Sequence, residues 1–178
     1  MLSQGIAGPR FERPEEVVEW MGAMQAQEIR AAKWAVGLRI AKPSLTAVQE
    51  ALDSGRILRT HVMRPTWHYI PGKDIKWMTE LSAKSMLSKF SFYEKHHGLT
   101  KEDCLLYKPQ IEEILTGQHL TCQEALEQLQ LKGITLSEPI VKMHLSFGEA
   151  DGTICSGIEK NGKHTYALTS ERIPDAIE

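Results

Sequence analysis

The sequence predicts a mainly α protein with small β-hairpins, an α+β chain built from two winged-helix domains in tandem. Three observations carry this expectation. Each half of the 178-residue chain holds three short stretches with helical apolar spacing. Each set is followed by β-favouring residues, and the second set contains Asn161-Gly162, the strongest two-residue hairpin signal in the chain. The boundaries that follow are 1–73 for the first winged-helix domain, 74–99 for a linking helix and loop, 100–170 for the second domain, and 171–178 for a linker or truncated tail.

Residues 1–13 have no clear period and form a lead-in. Pro14 suits the first turn of a helix, with Glu15 and Glu16 near its positive end. Val17, Trp20, Met21 and Met24 then share one apolar face, so this helix is expected to end near Met24. A second helix over about 28–40 carries Ile29, Ala32, Ala35, Val36 and Leu38 and is stopped by Pro43. The third begins at Ser44 or Thr46, where the run from Thr46 to Gln49 has the form of a capping box, and stops at Gly55. The period then changes. Ile57, Leu58, Thr60 and Val62, and after them Thr66, Trp67, Tyr69 and Ile70, flank Met63-Arg64-Pro65 as a hairpin.

A longer helix over 74–90 places Ile75, Met78, Leu81, Ser82 and Ser85 on one side, and the aperiodic 91–99 marks a boundary. The second unit repeats the first plan. Thr100 caps a helix to about Thr116 that Pro109 kinks or splits, Thr121 caps a helix to about Leu131, and Ser137 opens a third to about Phe147. Strands over 154–160 and 163–168 complete it.

Composition is that of an ordinary soluble domain, with 42% hydrophobic and 25% charged residues. No apolar run is long enough to span a bilayer and the first residues do not form a leader, so the chain reads as cytoplasmic, with no membrane partner. Cys104, Cys122 and Cys155 form no C-x-x-C pair and read as packing residues. The histidines show no ligand spacing, and the adjacent His96 and His97 read as loop residues, so no metal and no cofactor are expected. The net charge of -2 hides an asymmetry: residues 1–89 hold 13 Lys and Arg against 9 Asp and Glu, whereas residues 90–178 hold 8 against 14. Only the first half is suited to a polyanion. Its surplus sits between Gly55 and Lys73, which contains Arg56, Arg59, Arg64, His61 and His68 but no acid. The third helix of the first unit, where groove-reading proteins place their base contacts, has no Lys or Arg, so the hairpin carries the charge.

Gln25 and Gln27 interrupt an otherwise apolar helical pattern. On one continuous helix, residues i and i+2 diverge by about 200°, so two amides that act together need a non-helical joint. A helix, a joint presenting Gln25 and Gln27, and a second helix fit the spacing. So do two solvated glutamines at a helix end. Trp34, Trp67 and Trp77 read as core residues rather than stacking platforms, and His61 reads equally as a half-buried histidine or a phosphate donor.

Three stretches together carry a resemblance. They are the run from Phe11 to Arg39 with its Gln25-Ala26-Gln27 centre, the run from Arg56 to Met78 with Arg64-x-Thr66-x-His68, and the wing ending in Tyr166-Ala167-Leu168. The chain resembles the winged-helix DNA glycosylases of the AlkZ/YcaQ type, which excise alkylated or crosslinked purines. The resemblance implies that Gln25 and Gln27 are the catalytic pair and that Arg64, Thr66 and His68 lie near the DNA backbone. Arg56 and Arg59 join them as phosphate contacts on the reading of the basic hairpin. The family's other branch has aspartate at the second motif position, whereas this chain has Gln27. The family's members also carry a third winged-helix domain, so the expected setting includes a further C-terminal domain or a homodimer.

The chemistry fits such a pair. Cleaving an N-glycosidic bond builds positive charge on the sugar and needs a water on its opposite face. An amide cannot take the proton near neutral pH, yet it can hold the water and turn its carbonyl dipole toward the sugar carbon. That help suffices only for a leaving base that is already cationic, such as an N7-alkylated purine. Glu28, the nearest carboxylate, reads as a helix-start residue. The expected function is therefore a monofunctional DNA glycosylase acting on damaged duplex DNA. The alternatives are a non-catalytic, regulatory winged-helix DNA-binding protein and a protein-interaction module.

Overall fold

The computed structural model describes residues 4–8, 11–64, 66–88 and 100–177. The chain is helix-rich with two small antiparallel sheets. Three helices, α1 (Pro14–Met21), α2 (Ile29–Gly37) and α3 (Leu45–Asp53), pack against a three-stranded sheet of β1 (Met24–Gln25), β2 (Ile57–His61) and β3 (Trp67–Pro71) in the order β1-β3-β2. A 3-10 turn, Gly72–Asp74, leads into α4 (Ile75–Ser88). The second unit comprises α5 (Lys101–Leu115), α6 (Cys122–Leu131), α7 (Glu138–Ala150), β4 (Ile154–Ser156) and β5 (Tyr166–Leu168), and a final turn, α8 (Thr169–Arg172), closes the chain.

The local reasons are visible in the caps. Pro14 opens α1, and Gly22 with a φ of 71° ends it at Met21, three residues before the expected stop at Met24. Ser44, the earlier of the two candidate starts, caps α3 by accepting from Ala47 N, and Thr46 lies inside the helix without forming the expected capping box. Thr100 and Thr121 form reciprocal capping boxes with Asp103 and Glu124. Asn161 and Gly162, with φ of 50° and 76°, turn the second hairpin as their sequence requires. Pro109 sits inside α5 without dividing it. The 91–99 loop, its His96 and His97, and Pro65 of the first hairpin lie outside the described residues.

The two units share one plan. In the first, β1 lies between α1 and α2 and pairs with β3, Met24 opposite Tyr69. In the second, the stretch between α5 and α6 contributes Leu120, which exchanges both backbone hydrogen bonds with Tyr166 of β5. Each unit has its own core: Val17, Val18, Val36, Val48, Ala51 and Ile57 in one, and Leu115, Leu129, Val141, Leu145 and Ile154 in the other. A third cluster joins them. Leu58, Val62 and Ile70 from the far face of the first sheet meet Ile75 and Met78 of α4, Cys155 of β4, and Ala176.

Ala176 corrects the expectation of a linker at 171–178. Arg172 Nη2 donates to Leu52 O at 2.7 Å, Ile177 N donates to Lys73 O at 2.7 Å, and Ala176 is buried, so the tail seals the seam between the units. Two tryptophans are also corrected. Trp34 and Trp77, expected in the core, are 53% and 38% exposed, because α2 and α4 bury their small and aliphatic residues instead. Trp20 and Leu81, placed on apolar faces by spacing, are exposed as well. No described helix is long and apolar enough to cross a membrane.

Candidate nucleic-acid site around Gln25 and Gln27

The chain leaves α1 at Gly22 and re-enters a helix at Ile29, and three of the residues between, Met24 to Ala26, are held against β3 by their backbones. Gln25 lies opposite His68, and Ala26 N continues the ladder by donating to Trp67 O at 2.7 Å. In extended backbone, residues i and i+2 share a side. Accordingly, Gln25 and Gln27 are both exposed while Ala26 between them is fully buried. Gln27 Oε1 accepts weakly from Trp67 N at 3.4 Å. Glu28 ends the segment as the N-cap of α2, its carboxylate accepting from Ala31 N at 2.7 Å and Arg30 N at 3.2 Å. Those two bonds, Ala31 first, hold its pKa below the usual carboxylate range.

Beneath the segment lies Arg59. Its Nε donates to Ala26 O at 2.9 Å, its Nη2 to Gln27 O at 3.3 Å, and its guanidinium rests 4.1 Å from the centre of the Trp67 ring. The side chain was expected at a phosphate, but Arg59 is 9% exposed and committed to the inside of the molecule. Burial draws its pKa down, and the negative potential of Tyr69, Glu149 and neighbouring groups opposes that shift.

His68 was expected at the backbone of DNA too, and it is 2% exposed. It stands in the middle strand between Thr60 and Gln25, and burial lowers its pKa. As folded, the ring is enclosed in the sheet and presents no surface to a phosphate. Thr66 is half-buried just before β3, with its hydroxyl enclosed and unpaired among the described residues. Of the five expected DNA contacts, only Arg56 and Arg64 are exposed, and Arg56 is paired with Glu15 at 3.2 Å. Arg64, at the hairpin end, is in no ion pair among the described residues.

The second unit reaches this site through residues that spacing did not single out. Ser156 Oγ accepts from Arg59 N at 3.0 Å. The His164 ring packs edge-on to Trp67 at 4.5 Å and to Tyr166 at 4.6 Å. Glu149 of α7 is fully buried, and its Oε2 bonds His61 Nδ1 at 3.1 Å. Burial raises the Glu149 pKa, and the His61 bond opposes the shift. Thus His61 is a half-buried, satisfied histidine, the first of its two readings. Lys33 on α2 adds an ion pair across the seam to Glu159 at 3.0 Å. One signal in the sequence could have found Arg59. Strand alternation puts Ile57, Arg59 and His61 on one face of β2, and both faces of that strand are apolar at its start.

A family model described as DNA glycosylase AlkZ-like matches residues 18–178. Among solved structures the fold is similar to that of Streptomyces sahachiroi DNA glycosylase AlkZ, with a TM-score of 0.74 at 20% sequence identity. The alignment covers 99% of this chain and 50% of that one, so the chain spans half the length of the structure it matches. No curated protein sequence matches it.

Proposed function

The chain belongs to the AlkZ-like family of DNA glycosylases, and from that membership we propose that it hydrolyses the N-glycosidic bond of alkylated or crosslinked purines in double-stranded DNA. Gln25 and Gln27 are the reacting pair on this reading, and the two three-helix units with their hairpins are winged helices in tandem. One observation carries the assignment. The Gln25-Ala26-Gln27 segment leaves the edge of a sheet with its central side chain fully buried and both flanking glutamines exposed, as a pair acting on a bound nucleotide requires.

The amides accept hydrogen bonds from the attacking water and direct their carbonyl dipoles at the sugar carbon as it becomes cationic. Neither takes up the proton of the water, which passes to solvent as the C–O bond forms, while the electrons of the broken C–N bond neutralise the leaving base; this limits the substrates to bases that leave readily, above all N7-alkylpurines carrying a positive charge. Glu28 is not the base, because both of its carboxylate oxygens cap α2. Arg64 and Arg56 face the phosphates from the end and base of the first hairpin.

The test is release of 7-methylguanine from alkylated duplex DNA by the chain and by its Gln25→Ala, Gln27→Ala double variant. The expected result is release by the chain and a loss on the order of 100-fold or more in the variant, with DNA affinity and thermal stability retained. Salt-sensitive binding without release would instead assign the chain to non-catalytic DNA binding.

A further inference from the structure

We propose that Arg59 is a positioning residue for the Gln25-Ala26-Gln27 segment, through which docking of the second unit fixes the two glutamines. This rests on the reading of those glutamines as the reacting pair.

A buried guanidinium is costly to desolvate, and a protein that only needed to fill this space would do better with an apolar side chain. Arg59 is 9% exposed and has no carboxylate in direct contact among the described residues. Its partners are the peptide carbonyls of Ala26 and Gln27 and the face of Trp67. Two donors of one planar group thus meet two successive carbonyls, a geometry that lysine's single ammonium cannot reproduce.

The segment needs such a hold. Only Met24 and Gln25 pair as a strand, Ala26 adds one bond to Trp67 O, and Gln27 reaches β3 only through its own side chain at 3.4 Å. Among the described residues, Arg59 is the one hydrogen-bond donor to the Gln27 carbonyl. Trp67 works from the other side, since its carbonyl holds Ala26 and its ring carries the guanidinium.

Both parts of this clamp are set by the second unit. Ser156 of β4 accepts from the Arg59 amide, and His164, on the strand side of the second hairpin, packs against the Trp67 ring. The link therefore runs from β4 and His164, through Arg59 and Trp67, to the peptide groups behind Gln25 and Gln27. It accounts for a basic hairpin residue facing inward where a phosphate contact was expected.

The experiment uses the full chain with Arg59→Lys and Arg59→Ala. It follows single-turnover release of 7-methylguanine, the Kd for duplex DNA, and amide hydrogen exchange at 24–28 against the rest of the sheet. The expected result is a fall in release rate on the order of 100-fold, since displacement of a reacting group by about 1 Å has that effect, with Kd unchanged. Exchange quickens at 24–28 alone, and millimolar methylguanidinium restores both protection and rate to Arg59→Ala. An unchanged rate in either folded variant overturns the proposal. So does a loss of protection spread evenly over both sheets, which marks a purely structural residue. Where Arg59→Ala does not fold, Arg59→Lys decides alone on the split between rate and Kd. Where the unsubstituted chain releases no base, the glycosylase reading fails while exchange still decides this one: selective loss at 24–28 upholds positioning, and uniform or absent loss overturns it.

Discussion

His164 shows how one side chain ties stability to pH. Packed among Trp67, Tyr166 and Glu149, it has its pKa pushed down to about 3, first by burial and then by the charges of Arg59 and His61. The unfolded chain takes up this proton near pH 6.5 while the folded chain refuses it, so the stability present above that pH is lost as the pH falls. Between pH 7 and pH 5 the loss from this residue is about 2 kcal/mol at most, because 18% of its side-chain surface remains open to solvent. Glu149 acts in the opposite sense, since its raised pKa makes the folded chain hold a proton that the unfolded chain releases. The informative quantity is therefore a difference: His164→Phe should lose less stability than the parent chain over this range, as read from denaturant midpoints. An equal loss in both would place the acid sensitivity elsewhere. None of this was legible in the sequence, which places His164 on a strand beside the Asn161-Gly162 turn but not what its ring packs against. Gln25, Gln27 and Glu28 were legible because each breaks an apolar period at a helix junction. Arg59 and His68 face inward for a physical reason. Charge in a hairpin suggests solvent, but a strand whose two faces both pack inward leaves a basic residue no outward direction.

At the scale of elements, what the sequence makes plain is what has a period or a cap. The helices and both hairpins follow from apolar spacing, from Thr100 and Thr121, and from Asn161-Gly162. β1 is only two residues long, too short for any alternation to register, and α8 follows a strand with no apolar run of its own. Yet β1 carries the candidate site and α8 the tail that seals the seam. The junction beneath that seam is tight. Gly72 N donates to Arg56 O at 2.9 Å, bringing the end of β3 against the turn after α3, where Gly55 holds a φ of 79°. A Cβ on Gly72 would stand 1.9 Å from Gly55 O. That oxygen belongs to the backbone and cannot swing aside, so Gly72→Ala must separate the two turns. The expected loss is about 3 kcal/mol or more, read as a fall in denaturant midpoint, and Ile173, which also lies within 3.2 Å of that Cβ, should lose its packing with it. A variant as stable as the parent would mean that the two turns are held apart in solution.

For the molecule as a whole, the question is how a chain with a net charge of -2 would hold the polyanion proposed as its partner. The first half has the cations, but the fold commits most of those on the hairpin to the protein itself. Arg59 is buried against carbonyls, His68 is enclosed with its pKa lowered by burial, Arg56 pairs with Glu15, and Lys73 pairs with Glu19 at 3.0 Å. Arg64 alone among the expected hairpin contacts is both exposed and outside any ion pair among the described residues. Counterion release makes the consequence measurable, since each phosphate neutralised on duplex DNA steepens the plot of log K against log salt by about 0.9. Arg64→Ala should therefore weaken binding and reduce that slope by about one. Arg59→Lys should leave the slope untouched, because its parent residue faces the glutamine segment and not the phosphates. Arg56→Ala should fall between these two, as Glu15 competes for its charge. The contrast separates a basic hairpin that grips DNA along its length from one that touches it only at the end while its inner cations build the site. Equal slope losses for residues 59 and 64 would mean that the hairpin turns Arg59 outward when DNA binds, and the clamp behind Gln25 and Gln27 would then have to open on binding.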